Sequence, residues 1–190
     1  TFVPFTISLT APEQTLPSAL LYVRVESGSG GPRPSRGYAY ETIFPVRVDA
    51  AAGGRVSVTR GFAVPSGRYR VVLALRESPD GHPPNRLRKA GVLLQDLDVP
   101  DFWTGELATS TVMLARRVER LGGPVPPDEL DEDPYAVGSN RIHVTWERNF
   151  GRNRELIVAF LIYNPPFARD KHFDIQVDSH LYKKEAGGKG

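Results

Sequence analysis

Apolar side chains at every second position, in short runs closed by Gly, Pro, Asn or Asp, constrain this chain more than any other feature. In Leu21-Tyr22-Val23-Arg24-Val25-Glu26 the apolar residues take the odd positions and the polar ones the even, which in an extended backbone buries one face and wets the other. The pattern recurs in Phe44, Val46 and Val48 about Arg47, and in Val56, Val58, Phe62 and Val64, where Arg60 is the exception. Behind the turn Pro65-Ser66-Gly67-Arg68 the run Tyr69 to Leu75 reads as a strong strand, and strands resume over Val92 to Val99 and Thr111 to Ala115. The opening TFVPFTISL is itself strand-like, with no initiator Met and no leader pattern before it, so the segment reads as an excerpt or a processed product. Gly 18 and Pro 17 fill 18 + 17 = 35 of 190 positions without a G-x-y period, which excludes collagen and implies many turns. Helical spacing is confined to Val112 to Leu121, where Val118 and Leu121 sit three apart.

Two Pro-rich tracts punctuate the chain. SPDGHPPN, from Ser78 to Asn85, holds three prolines and must be a loop, because Pro cannot donate to a ladder. GGPVPPDELDEDP, residues 122–134, holds four prolines and five carboxylates, and so reads as a stiff acidic linker between a first domain, 1–121, and a second, smaller unit, 135–190. In the second unit the strand signals are Ile142 to Trp146, the apolar Leu156 to Ile162, and Phe173 to Tyr182. In the last of these Phe173, Ile175, Val177 and Leu181 share one face and Asp174, Gln176, Asp178 and His180 the other. Roughly 55 residues are few for an independent sandwich, so this unit is expected to be incomplete, packing on the first or continuing in a longer parent.

The chemistry that these residues allow is limited. The absence of cysteine removes thiol catalysis, disulfides and Cys-type zinc sites. A net charge of +2 with acids and bases interleaved gives no nucleic-acid footprint, and no apolar run reaches membrane-spanning length. Asp178-Ser179-His180 fails as a triad, because Ser179 in a strand points away from both neighbours. The histidines, His82, His143, His172 and His180, show no HExxH spacing. Within the acidic run, Asp128, Asp131 and Asp133 are the candidates for Ca²⁺ that would rigidify the linker, although an EF-hand pattern is missing and a solvated charge run reads the same residues. Gly28 to Gly31 and Gly53-Gly54 lack the Lys-Ser/Thr of a phosphate loop and read as hairpin loops. Trp103, Phe102, Tyr38 and Tyr40 are the candidate binding aromatics for a sugar-stacking platform, with Trp103 beside Gly105 the member expected to be exposed.

Several phrases together resemble a known group: FVPFTISL, ALLYVRV, PSGRYRVVLAL, LDVPDFWTGELATSTVML, FLIYNP and IQVDSHLYKKEAGG. They are similar to the C-terminal β-rich region of large secreted proteins of Acidobacteria and related bacteria, in the von Willebrand factor A-related and GWxTD-domain families. The Asp-x-Ser-x-Ser adhesion motif and any Gly-Trp-x-Thr-Asp are missing here, so what the resemblance implies is an accessory, exported β-rich region and no catalytic residue. Separately, Pro65-Ser66-Gly67-Arg68-Tyr69-Arg70-Val71 is similar to the turn-then-Tyr start of an immunoglobulin-like strand, in which the Tyr hydroxyl bonds backbone in the preceding corner. A strand-leading Tyr without that bond reads the pattern equally well. The expectation is an all-β chain of tandem immunoglobulin-like β-sandwich units, antiparallel, without enzymatic activity. It would be periplasmic, cell-surface or extracellular, and would act as an interaction or architectural module that meets a protein partner or itself through sheet edges. A carbohydrate-binding module is the alternative and a hydrolase the third reading.

Overall fold

The computed structural model describes residues 1–10, 18–28, 37–46, 55–78, 90–145, 150–151, 153–166, 172–173, 175–180 and 182. The readings at residues 29–31, 47–48, 53–54 and 79–85, and at Trp146, Asp174 and Leu181, lie outside them. Among the described residues the chain is all-β: every strand pairing is antiparallel and no helix occurs. It divides into two compact units, Thr1–Asp101 with Val112–Ala159, and Phe102–Thr111 with Phe160–Gly190.

In the first unit β1 (Phe2–Thr10) pairs with β4 (Arg55–Ala63). A four-stranded sheet runs in the order β3 (Tyr40–Val46), β2 (Ala19–Ser27), β5 (Gly67–Glu77), β6 (Ala90–Val99). The alternation of β2 places Leu21, Val23 and Val25 on one face, each fully buried. Val71 and Leu73 of β5 and Phe44 and Val46 of β3 lie beside them. Val58 and Phe62 of β4, with Val3, Phe5 and Ile7 of β1, complete the same core. Two sheets thus share one apolar interior. Full burial contributes roughly 1.5–3 kcal/mol for each large side chain.

Two local contacts fix one end of the β1–β4 ribbon, where β1 begins and β4 ends. Tyr69, 2% exposed, donates its hydroxyl to the Pro65 carbonyl at 3.0 Å, tying the start of β5 back across the turn that leaves β4. Gly67, the turn residue, has φ +146°, a conformation that side-chain-bearing residues rarely adopt. At Gly61 the ring of Phe2 lies directly over the backbone, so a Cβ there would stand 2.2 Å from Phe2 Cζ. A ring from the neighbouring strand thereby covers the gap that a strand glycine leaves.

The remaining sheet of this unit has the order β11 (Ile157–Ala159), β8 (Met113–Arg120), β10 (Asn140–Val144), β9 (Ala136–Val137). The helical reading of Val112 to Leu121 is therefore corrected to a strand. Arg117 faces His143 while Ala115 faces Val144, so Arg116 is a bulge residue whose insertion breaks the two-residue period. Residues 122–134 fall inside the first unit. The Asp131 carbonyl accepts from Gly61 N at 2.9 Å, and Tyr135 Oη lies 3.5 Å from Thr6 Oγ1. This stretch uses its backbone, rather than large apolar side chains, to lie along β4.

The second unit has one short ladder among its described residues, β7 (Ala108–Thr109) with β12 (Ile162–Tyr163). The expected strand from Phe173 to Tyr182 is not formed there: residues 175–180 belong to no strand, and Phe173 and Val177 are 62% and 58% exposed. Alternation makes a strand only where a neighbour supplies the ladder.

Removing the Tyr69 hydroxyl (Tyr69→Phe) should cost about 0.5–1.5 kcal/mol in urea unfolding, with the midpoint lowered and the slope unchanged. Gly61→Ala should destabilise by about 1–3 kcal/mol through the clash with Phe2. The double variant Phe2→Ala/Gly61→Ala should lose clearly less than the sum of the single losses. Strict additivity would mean that the ring and the glycine do not interact.

Candidate functional site

The surface that distinguishes this fold is the free edge of β6. The strand pairs with β5 from Gly67↔Val99 to Arg76↔Ala90 and ends the sheet order, and among the described residues no ladder forms on its other edge. At its C-terminal half Val99 is buried and Leu97 packs against the core. At the other half Val92, Leu93 and Leu94 are 69%, 52% and 60% exposed. The cause is width. The sheet opposite has two strands against four, so Leu73 of β5 is covered while Leu93, directly across from it, is not.

The outer edge of β3 and those of the β1–β4 ribbon differ from it. β3 carries Glu41 and Pro45, a charge and a residue without an N–H, both of which oppose strand addition. β1 carries Pro4, and β4 is met by the Asp131 carbonyl. On the outer face, too, β6 differs from the far side of its sheet. Near β3 the face mixes one exposed apolar residue, Ile43, with polar groups that are tied down: the Tyr22 hydroxyl donates to Glu41 Oε1, which holds the Glu41 carboxyl below the usual range, and Arg24 pairs with Glu26 at 3.0 Å. Toward β6 the same face becomes Val72, Ala74, Val92 and Leu94. Beyond Gln95 charges return, with Arg70 and Asp96 paired at 3.3 Å.

The binding aromatics expected from the sequence have separate fates. In the first unit Tyr40 stacks on Phe62 at 5.5 Å, and Tyr38 carries the Arg24 guanidinium 5.3 Å above its ring. In the second unit Phe102 stacks on Tyr163 at 4.1 Å, nearly parallel. Trp103 beside it is 84% exposed. Its loop is built rather than loose. Asn164, in the left-handed region at φ 51°, donates through Nδ2 to the carbonyls of Phe102 at 2.6 Å and Glu106 at 2.9 Å. Sequence reading missed Asn164, although Asn-Pro-Pro after an apolar run is a turn signal.

The acidic run forms no cation cage: among the described residues no group of three or more His, Asp or Glu side chains is placed to hold a metal ion. Asp133 instead accepts from Arg141 Nε and Nη2, both at 2.6 Å, and Asp131 engages Gly61 through its carbonyl. Asp133 and Arg141, with Val125, Glu129 and Glu132, line an open cleft of about 430 Å³. Arg141 also reaches Glu119 at 3.6 Å, as does Arg117, and Glu119 lies 2.7 Å from His143 Nε2. Of the rejected triad, Asp178 lies 3.4 Å from Gln176 Nε2 and the His180 ring faces Tyr182.

Bonding to His143, helped by the two arginines, holds the Glu119 carboxyl below its ordinary range. A carboxylate depressed on folding adds stability above the unfolded pKa and loses it as pH falls through the folded one. Melting temperatures of wild type and Glu119→Gln should therefore differ at neutral pH and converge in acid, below the usual glutamate range; a constant offset would remove Glu119 from the account. No protein-family model matches this chain, and no curated protein or solved structure matches it either.

Proposed function

We propose that this chain is a non-catalytic interaction module whose working surface is the open edge of β6, to which an extended protein segment adds as a further strand. The observation that carries the reading is the run of three exposed apolar side chains, Val92, Leu93 and Leu94, on a long strand with neither proline nor charge between Ala90 and Gln95. Backbone groups on such an edge supply affinity, and alternate side chains supply selectivity.

The finer fold assignment is an immunoglobulin-like sandwich. Its support is the strand order β6-β5-β2-β3 against β1–β4, which parallels strands G-F-C-C′ against B–E, together with the Tyr69 to Pro65 bond at the start of the strand in the F position. The tandem part of that assignment rests on the strand signals of the sequence, since the β11-β8-β10-β9 sheet lies in the first compact unit. The resemblance of its phrases to those of secreted bacterial proteins supports an exported setting, at the envelope or outside the cell, with the module acting as spacer and dock in a larger assembly.

A second reading, carbohydrate binding, is favoured by Trp103, which the Asn164 clamp holds out at 84% exposure. Parallel arrays of extended peptides with alternating apolar side chains and of bacterial glycans separate the two. Wild type should be retained by peptides, and Val92→Lys should weaken that retention by about tenfold or more, at least ~1.4 kcal/mol. Glycan retention abolished by Trp103→Ala, with no peptide retained, would overturn the edge reading in favour of sugar binding.

A further inference from the structure

We propose that residues 122–135 are a releasable strap over the outer edge of β4, latched by Arg141, and that this edge opens when the latch lets go. The proposal concerns a different edge from that of β6 and does not depend on it.

The direction of the backbone groups in β4 defines what the strap covers. Val64 N donates to the Thr1 carbonyl, so along the β1–β4 ladder the even-numbered residues of β4 turn their N–H groups toward β1 and the odd-numbered ones turn theirs outward. Gly61 belongs to the outward set, and its N–H is taken by the Asp131 carbonyl at 2.9 Å. A strap carbonyl thus stands where the carbonyl of an added strand would stand, and covering an edge in this way is how a chain keeps it from pairing. The contact lies beside the core, since the Phe2 ring covers Gly61 and Phe62 follows it. Burial raises the Tyr40 hydroxyl above its ordinary range, and the nearby Asp131 carboxylate adds to the rise.

One turn holds Asp131 in place. Glu132 N and Asp133 N both donate to the Glu129 carbonyl at 3.1 Å, so Asp131 and Asp133 are parts of a single hydrogen-bonded turn. The Asp133 carboxylate accepts from Arg141 Nε and Nη2, both at 2.6 Å, and Glu119 flanks the same guanidinium at 3.6 Å. Downstream the strap is fastened by backbone, with Ile142 N on the Tyr135 carbonyl at 3.0 Å. Upstream of Tyr135 the fastening is a charge. Asp128, Glu129, Asp131, Glu132 and Asp133 put five carboxylates into six positions, and among the described residues that line the cleft there Arg141 is the one cation. Clustered like charges repel one another, and Arg141 offsets that repulsion. A stretch with few large apolar side chains and a charged fastening is the kind of segment that opens locally while the rest of the fold stays intact.

Amide hydrogen exchange on the whole chain, read residue by residue by nuclear magnetic resonance, tests this. Arg141→Met should speed exchange at Gly61 by about tenfold or more, the loss expected when a charge-assisted hydrogen-bonded pair is removed. Phe62, whose N–H faces β1, and Val23 in the core should keep their wild-type rates. Asp133→Asn takes away the other half of the latch by a milder change and should speed Gly61 in the same way, and the two substitutions together should add little to either alone. A Gly61 amide that exchanges at the wild-type rate in both single variants overturns the latch. Acceleration of Phe62 and Val23 by the same factor as Gly61 overturns it too, because the opening would then be global unfolding. A double variant that shows the full sum of the two effects overturns it as well, since Arg141 and Asp133 would then act on Gly61 separately.

Discussion

The ring of Phe62 is where the β1–β4 ribbon meets the β3-β2-β5-β6 sheet, and the core between them depends on it. It lies 5.9 Å from Phe5 on its own ribbon and 5.5 Å from Tyr40 on the opposing sheet, and it is 1% exposed. Aromatic pairs of this kind add about 0.5–1.5 kcal/mol beyond the burial of their area. The larger effect is positional. With Phe62 seated, β4 must face β2 and β3, and Tyr69 can close the turn between β4 and β5 by its bond to Pro65.

A two-stranded ribbon cannot cover a four-stranded sheet, and that mismatch distributes polarity over the unit. The central strand β2 has fully buried residues along one face, whereas the outer strands divide by location. β3 meets water with Glu41, Pro45 and a single large apolar residue, Ile43, and β6 meets it with three in a row, Val92, Leu93 and Leu94. The acidic stretch beyond residue 122 settles beside β4 through a backbone carbonyl, so an edge that would otherwise need protection is occupied by a segment with few apolar side chains of its own.

Much of the interior was legible from the sequence, and the surfaces were less so. The alternation of Leu21, Val23 and Val25 and the turn before Tyr69 are local signals, and they describe the core strand and the hydroxyl bond that the structure contains. The bulge at Arg116 destroys the period that would have revealed β8, leaving apolar residues at a spacing that a helix also produces. Conversely, the regular alternation from Phe173 onward names a strand for which the described residues supply no ladder. In Val92-Leu93-Leu94 consecutive apolar residues conceal which face is covered; only the strand order shows that neither is. The clamp of Asn164 joins residues 62 and 58 apart in the chain, a distance at which local pattern carries no information.

Proline at position 45 has a consequence for growth. Sheets that extend through both outer strands lengthen without limit, each added copy offering a fresh template for the next. Here the two outer strands of the larger sheet are unequal: one is receptive, and the other lacks a backbone donor at Pro45 and carries a carboxylate at Glu41. The proposed addition at β6 would consume the receptive side and present only the refractory one to solution. A sheet joined in that way would be joined once, and would avoid runaway fibre formation by chain termination rather than by hiding its leucines.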